Sequence, residues 1–78
     1  MNPTKVEKNN VFPVILRQEA DGGYFVMNPA FESCYSQGDT IEDALSNIKE
    51  ATEMCLEEAQ EQGKKATIPN VSLHMIHA

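Results

Sequence analysis

An α+β domain, with one long helix laid across one face of a small antiparallel sheet, is the fold class this sequence predicts. Residues 11–28 carry β-branched and aromatic residues on both sides of an Asp-Gly-Gly turn, the pattern of a hairpin. From Ile41 to Ala59 apolar residues recur at helical spacing. The helical pattern lies between strand patterns, in the order β-β-β-α-β, so helix and sheet must share one core.

Residues 1–9 are polar and aperiodic and read as a flexible lead-in to a single domain spanning 1–78. "VFPVILRQE", 11–19, reads as the first strand. Pro13 cannot donate to a ladder, which places it at the strand's start, at a bulge, or with its missing N–H turned outward. Asp21, Gly22 and Gly23 tolerate φ > 0 and supply the hairpin turn. "GYFVMN", 23–28, is the returning strand, 29–33 a loop, and "CYSQ", 34–37, a short third strand.

Gly38 then allows a sharp turn into a helix. Thr40 is the expected N-cap, and Asp43 three residues on gives a capping-box-like pattern. Asp39, Glu42 and Asp43 set negative charge at the positive end of the helix dipole. The apolar stripe runs through Ile41, Leu45, Ile48, Thr52, Cys55 and Ala59, widened by Ala44, Ala51 and Leu56. Gly63 is the natural stop, with Lys64 and Lys65 near the negative end. Pro69 and Asn70 mark a turn, and 71–76 reads as a fourth strand.

One helix covers one sheet face, yet both faces are apolar. Strand one sets Phe12, Val14 and Leu16 opposite Val11 and Ile15. Strand two sets Phe25 and Met27 opposite Tyr24 and Val26. The expected oligomer interface is Val11, Ile15, Tyr24 and Val26, covered by another copy in a homodimer or higher homo-oligomer. A chain of 78 residues buries only a small core, which favours self-association.

Twelve acidic against six basic residues give a net charge of −6. Residues 40–62 hold seven of the acids (Glu42, Asp43, Glu50, Glu53, Glu57, Glu58 and Glu61) and only Lys49 in return, so all the net charge lies on the helix. Such a run is ordinarily a solvated face, or else a docking face for a basic partner. It excludes a nucleic-acid surface, which needs clustered Lys and Arg. No apolar run approaches the length of a membrane span. The N-terminus lacks the apolar core of a secretory signal, so Cys34 and Cys55 are expected as reduced thiols in a cytoplasmic protein.

Catalytic readings are weak. Asp39, Glu42 and Asp43 are close in sequence, but the first helical turns scatter them around the axis. No carboxylate lies inside strand one to face them. No phosphate-binding loop, serine elbow or CxxC pair is present, and no cofactor or metal is expected. His74 and His77 stand three apart, which in a strand sends them to opposite faces. A residual metal-dependent nuclease would have to use Asp21, Asp39 or Asp43.

The "DGGY" hairpin (21–24), Pro29, Cys34, "SQGDT" (36–40), "EDAL" (42–45) and "IP" (68–69), in this order, resemble the HicB-like antitoxin family. The resemblance implies a partly degraded ribonuclease-H-like fold and a non-enzymatic protein that blocks a small basic mRNA-cleaving toxin of the HicA kind. It also implies dimers or higher oligomers. On it, Glu50, Glu53, Glu57 and Glu61 become the expected partner-binding residues. The alternative is a stand-alone oligomeric protein of that fold with another role. Two departures stand out. The loop 29–34 lacks the second Pro and the Gly of the family's "PDLPGC". The sequence also stops at Ala78, so the DNA-binding extension of many members is not expected here.

Overall fold

The computed structural model describes residues 11–64 and 70–78. Three strands, β1 (Ile15–Gln18), β2 (Tyr24–Met27) and β3 (Tyr35–Gly38), precede a helix of 21 residues, α1 (Ile41–Glu61). The sheet is antiparallel in the order β1-β2-β3. This is the α+β arrangement expected, with shorter strands. β1 begins only after Pro13. The lead-in 1–9 and the Ile68–Pro69 pair lie outside the described residues.

The β1–β2 turn is a three-residue loop. The Gly22 N–H donates to Glu19 O at 3.0 Å, and the Glu19 N–H to Gly23 O at 2.7 Å. Asp21 Oδ1 accepts from the Gly23 N–H at 3.0 Å and braces the turn. Gly22 alone in it takes a positive φ, 99°, which a side chain would resist. Thr40 caps α1 as expected: its Oγ1 accepts from the Asp43 N–H at 3.0 Å. At the other end Gly63, φ 73°, lets the Lys64 N–H reach Ala59 O and its own N–H reach Gln60 O. That pair of bonds is the Schellman closure.

α1 packs on β3 and, less, on β2, and β1 joins this core only at its margin, through Leu16. Its buried residues, Ala44, Ile48 and Thr52, meet Val26 and Cys34, with Val14, Leu16, Tyr24, Phe31, Ala51 and Cys55 around them. Ile41 and Leu45, expected in the stripe, are 46% and 43% exposed. Leu45 sits towards the flank away from β3, and Ile41, on the same side as Ile48, is the first residue of the helix.

Two expectations change. Tyr24 and Val26 are not on the uncovered face. The register pairs Leu16 with Val26 and Gln18 with Tyr24, so these residues share the helix side, and Val26 is fully buried there. The uncovered row on β2 is Phe25 and Met27 instead. The expected fourth strand is also missing from the single chain. Residues 70–78 are described, carry no strand and are exposed throughout. A strand needs a partner edge for its backbone groups, and none lies beside this segment.

Candidate functional site

Glu50, Glu53, Glu57 and Glu61 follow one another at spacings of three and four residues. That keeps them on one stripe opposite Ala44 and Ile48. All four are exposed, and the stripe runs for about 16 Å along the axis. Among the described residues the only ion pair is Arg17 with Glu19, on the hairpin, at 2.7 Å. No ion pair neutralises the glutamates of the stripe, although Lys49 stands one turn before Glu53, and each like-charged pair a turn apart costs roughly 0.2–0.5 kcal/mol. Folding alone does not require this arrangement.

Beside the stripe lies an apolar feature that sequence reasoning missed. Met54 is 68% exposed and Tyr35 62% exposed. They line a shallow groove of about 270 Å³ between α1 and β3, with Ala51, Cys55 and Glu58. The available signal was Met54 itself, an apolar residue outside the core stripe of the helix.

The uncovered sheet face is the second surface. Ile15, Met27 and Tyr35 are in register across it, and Arg17, Phe25 and Gln37 form the next row. The Phe25 and Tyr35 rings lie 5.7 Å apart, and the Arg17 guanidinium sits 4.7 Å above Phe25. The charge on this face is one ion pair, Arg17 with Glu19. Of the expected interface residues, Ile15 belongs to it. Val11, 76% exposed, precedes β1.

Asp21, Gly22, Gly23, Gly38, Thr40 and Asp43 gather at the end of the sheet where the hairpin meets the helix start. A Cβ on Gly38 would fall 2.5 Å from the Ala44 nitrogen. Glycine there lets the strand end touch the first turn of α1. Among the described residues no three His, Cys, Asp or Glu side chains are placed to hold a metal ion.

Beneath the groove, Asn28 is fully buried. Its Nδ2 donates to Thr52 Oγ1 and its Oδ1 accepts from the Ala30 N–H, both at 3.0 Å. Cys34 Sγ lies 3.8 Å from the same Thr52 hydroxyl. Cys34 and Cys55 are free thiols. Burial pushes the Cys55 thiol up to about 11, helped by the Cys34 thiol and by Glu58. At neutral pH it is not a thiolate nucleophile. No helix among the described residues is long and apolar enough to cross a membrane.

Comparison with known proteins identifies a family. Residues 12–78 match the family model described as "HicB_like antitoxin of bacterial toxin-antitoxin system". A UPF0150 protein of Synechocystis sp. is 48% identical over 46 residues, 59% of this chain and 58% of that protein. The UPF0150 protein Ta0767 of Thermoplasma acidophilum is 36% identical over 67 residues, 86% of this chain and 97% of its own length. Antitoxin HicB 1 of Photorhabdus laumondii is 37% identical over 62 residues, which make up 80% of this chain but only 40% of that antitoxin. No solved structure matches the chain.

Proposed function

Because this chain belongs to the HicB-like antitoxin family of bacterial toxin-antitoxin systems, we propose that it is a non-enzymatic antitoxin. It neutralises a small basic mRNA-cleaving toxin of the HicA kind by direct complex formation in the cytoplasm. The observation that carries the reading is the stripe Glu50, Glu53, Glu57 and Glu61, four exposed carboxylates that form no ion pair among the described residues. Clustered charge of one sign steers a partner of the other sign and selects it. Met54, exposed beside the stripe, supplies an apolar anchor that a carboxylate row lacks. A basic toxin lying along α1 gains both.

The reading extends to self-association. The face of Ile15, Phe25, Met27 and Tyr35 is mostly apolar and its charges, Arg17 and Glu19, cancel, while the helix carries the whole net charge on the other side of the molecule. Two copies that meet through their sheets keep their acidic helices apart. Both helices stay open to toxin.

Binding of the purified chain to a small basic mRNA-cleaving toxin of the HicA kind, followed across a salt series, tests the main reading. We expect affinity to fall steeply with salt. The double reversal Glu50→Lys with Glu57→Lys should weaken binding on the order of ten- to a hundredfold, given that close charge pairs couple by 1.5 kcal/mol or more. Undiminished binding by that variant removes the acidic face from the mechanism.

A further inference from the structure

Cys34 and Cys55 are 21 positions apart in the chain, and the fold makes them neighbours. Cys34 stands immediately before β3, the strand on which α1 packs most closely. It is buried, with its Sγ 3.8 Å from the Thr52 hydroxyl. Cys55 lies three residues beyond Thr52, the next position along the same side of α1. It packs against the cluster that contains Cys34, and the Cys34 thiol acts directly on its own. Both thiols are free, and the binding of a basic partner along the glutamate stripe uses neither.

The two differ in access. Cys34 is 2% exposed, whereas Cys55 is half-buried. Cys55 lies where two grooves meet. One is the groove of Met54 and Tyr35. The other, of about 380 Å³, runs between the loop 30–33 and the end of α1. A small molecule in either groove meets the Cys55 sulfur first, with Cys34 behind it. Glu32 from the loop and Glu58 from α1 flank the larger groove against Lys64 alone, which favours a cationic reagent over an anionic one.

We propose that Cys55 is a site of modification by small disulfides that carry an ammonium group, and that Cys34 resolves the adduct into a Cys34–Cys55 bond clamping α1 to β3. Cys55 gives its proton to water, and its thiolate attacks one sulfur of the reagent. A bond forms between these two sulfurs, the reagent's S–S bond breaks, and one small thiol leaves. Cys34 then loses its proton and attacks the Cys55 sulfur, which expels the second small thiol. The two protein thiols give up two electrons, and the reagent disulfide is reduced to two thiols. The second step is unimolecular, because the two sulfurs are already neighbours. The bond closes a loop that holds β3 and the first half of α1. The glutamate stripe on the outer side of α1 is thereby kept in place under conditions that unfold the reduced chain.

The first step is slow at neutral pH. Burial, the Cys34 thiol and Glu58 hold Cys55 as a thiol up to about 11. Glu32 and Tyr35 line the same grooves and offer no cation, and Lys64 is the single one there. The rate follows the thiolate fraction, so it rises about tenfold per pH unit below that value.

Treatment of the full chain with cystamine, a dicationic disulfide, at two pH values one unit apart tests this, read by intact mass, peptide mapping and thermal melts. We expect a single chain lighter by two hydrogens, with the Cys34 and Cys55 peptides linked, formed about tenfold faster at the higher pH. Its thermal midpoint should rise by about 10 °C relative to the reduced chain. Cys34→Ser should stop at one cysteamine adduct on Cys55. Cys55→Ser, left with only the buried thiol, should stay unmodified. If Cys34→Ser does not fold, the wild-type time course stands in, with the adduct on Cys55 preceding the link. Adducts that persist on the wild type, links between chains, or modification of Cys55→Ser at the wild-type rate overturn the resolving role of Cys34. An unchanged midpoint in the linked chain overturns the clamp, and a wild type that does not react at either pH overturns the site.

Discussion

Asn28 looks in the sequence like the end of a strand before a proline. In the structure it is fully buried and ties three segments together: its own loop through Ala30, the helix through Thr52, and β3 through its backbone bond to Cys34. A buried polar residue is tolerated because each of its groups is matched. Removing the amide leaves the Ala30 N–H without its partner and opens space beside Thr52. We expect Asn28→Ala to destabilise the chain by about 1–3 kcal/mol, read as a lower urea midpoint with an unchanged m-value. Nothing in the sequence marked Asn28, since its partner Thr52 lies 24 positions away. Thr40, Asp43 and Gly63 were legible because caps and stops act on their immediate neighbours.

At the scale of the element, α1 serves two masters. Its inner side is set by packing of Ala44, Ile48 and Thr52. Its outer side carries glutamates that an isolated helix is better without. The consequence is a pair of effects with opposite signs. Replacing Glu53 and Glu57 with glutamine should raise the stability of the lone chain by a few tenths of a kcal/mol through lost repulsion. The same double variant should bind a basic partner less tightly and with a shallower dependence on salt. Thermal melts and the binding salt series check the two halves. Stability and binding falling together would mean that the carboxylates are held by contacts within the chain.

For the whole molecule, the division of surface is what matters. Acid lies on the helix side, and the apolar row of Ile15, Phe25, Met27 and Tyr35 lies on the sheet side. Phe25 is central in that row, stacked by Tyr35 and Arg17. Phe25→Glu should therefore weaken self-association on the order of tenfold or more, as loss of a central aromatic anchor does. Helix content should be unchanged, because Phe25 points away from α1. Sedimentation velocity across a concentration series, with far-UV circular dichroism alongside, checks both statements.

The sequence by itself determined the elements, their order, the ends of the helix and the concentration of charge on it. Each follows from residues within a turn or two of one another. It did not determine which row of strand two faces the helix, because Tyr24–Val26 and Phe25–Met27 are similarly apolar and a period of two admits either choice. The register Leu16 to Val26, together with the close contact that Gly38 allows between β3 and α1, decided it. Nor could the sequence tell where 71–76 goes. Its alternation predicts a strand, but the described residues 70–78 carry none, because a strand has a place only beside an edge and that is a property of the assembled sheet.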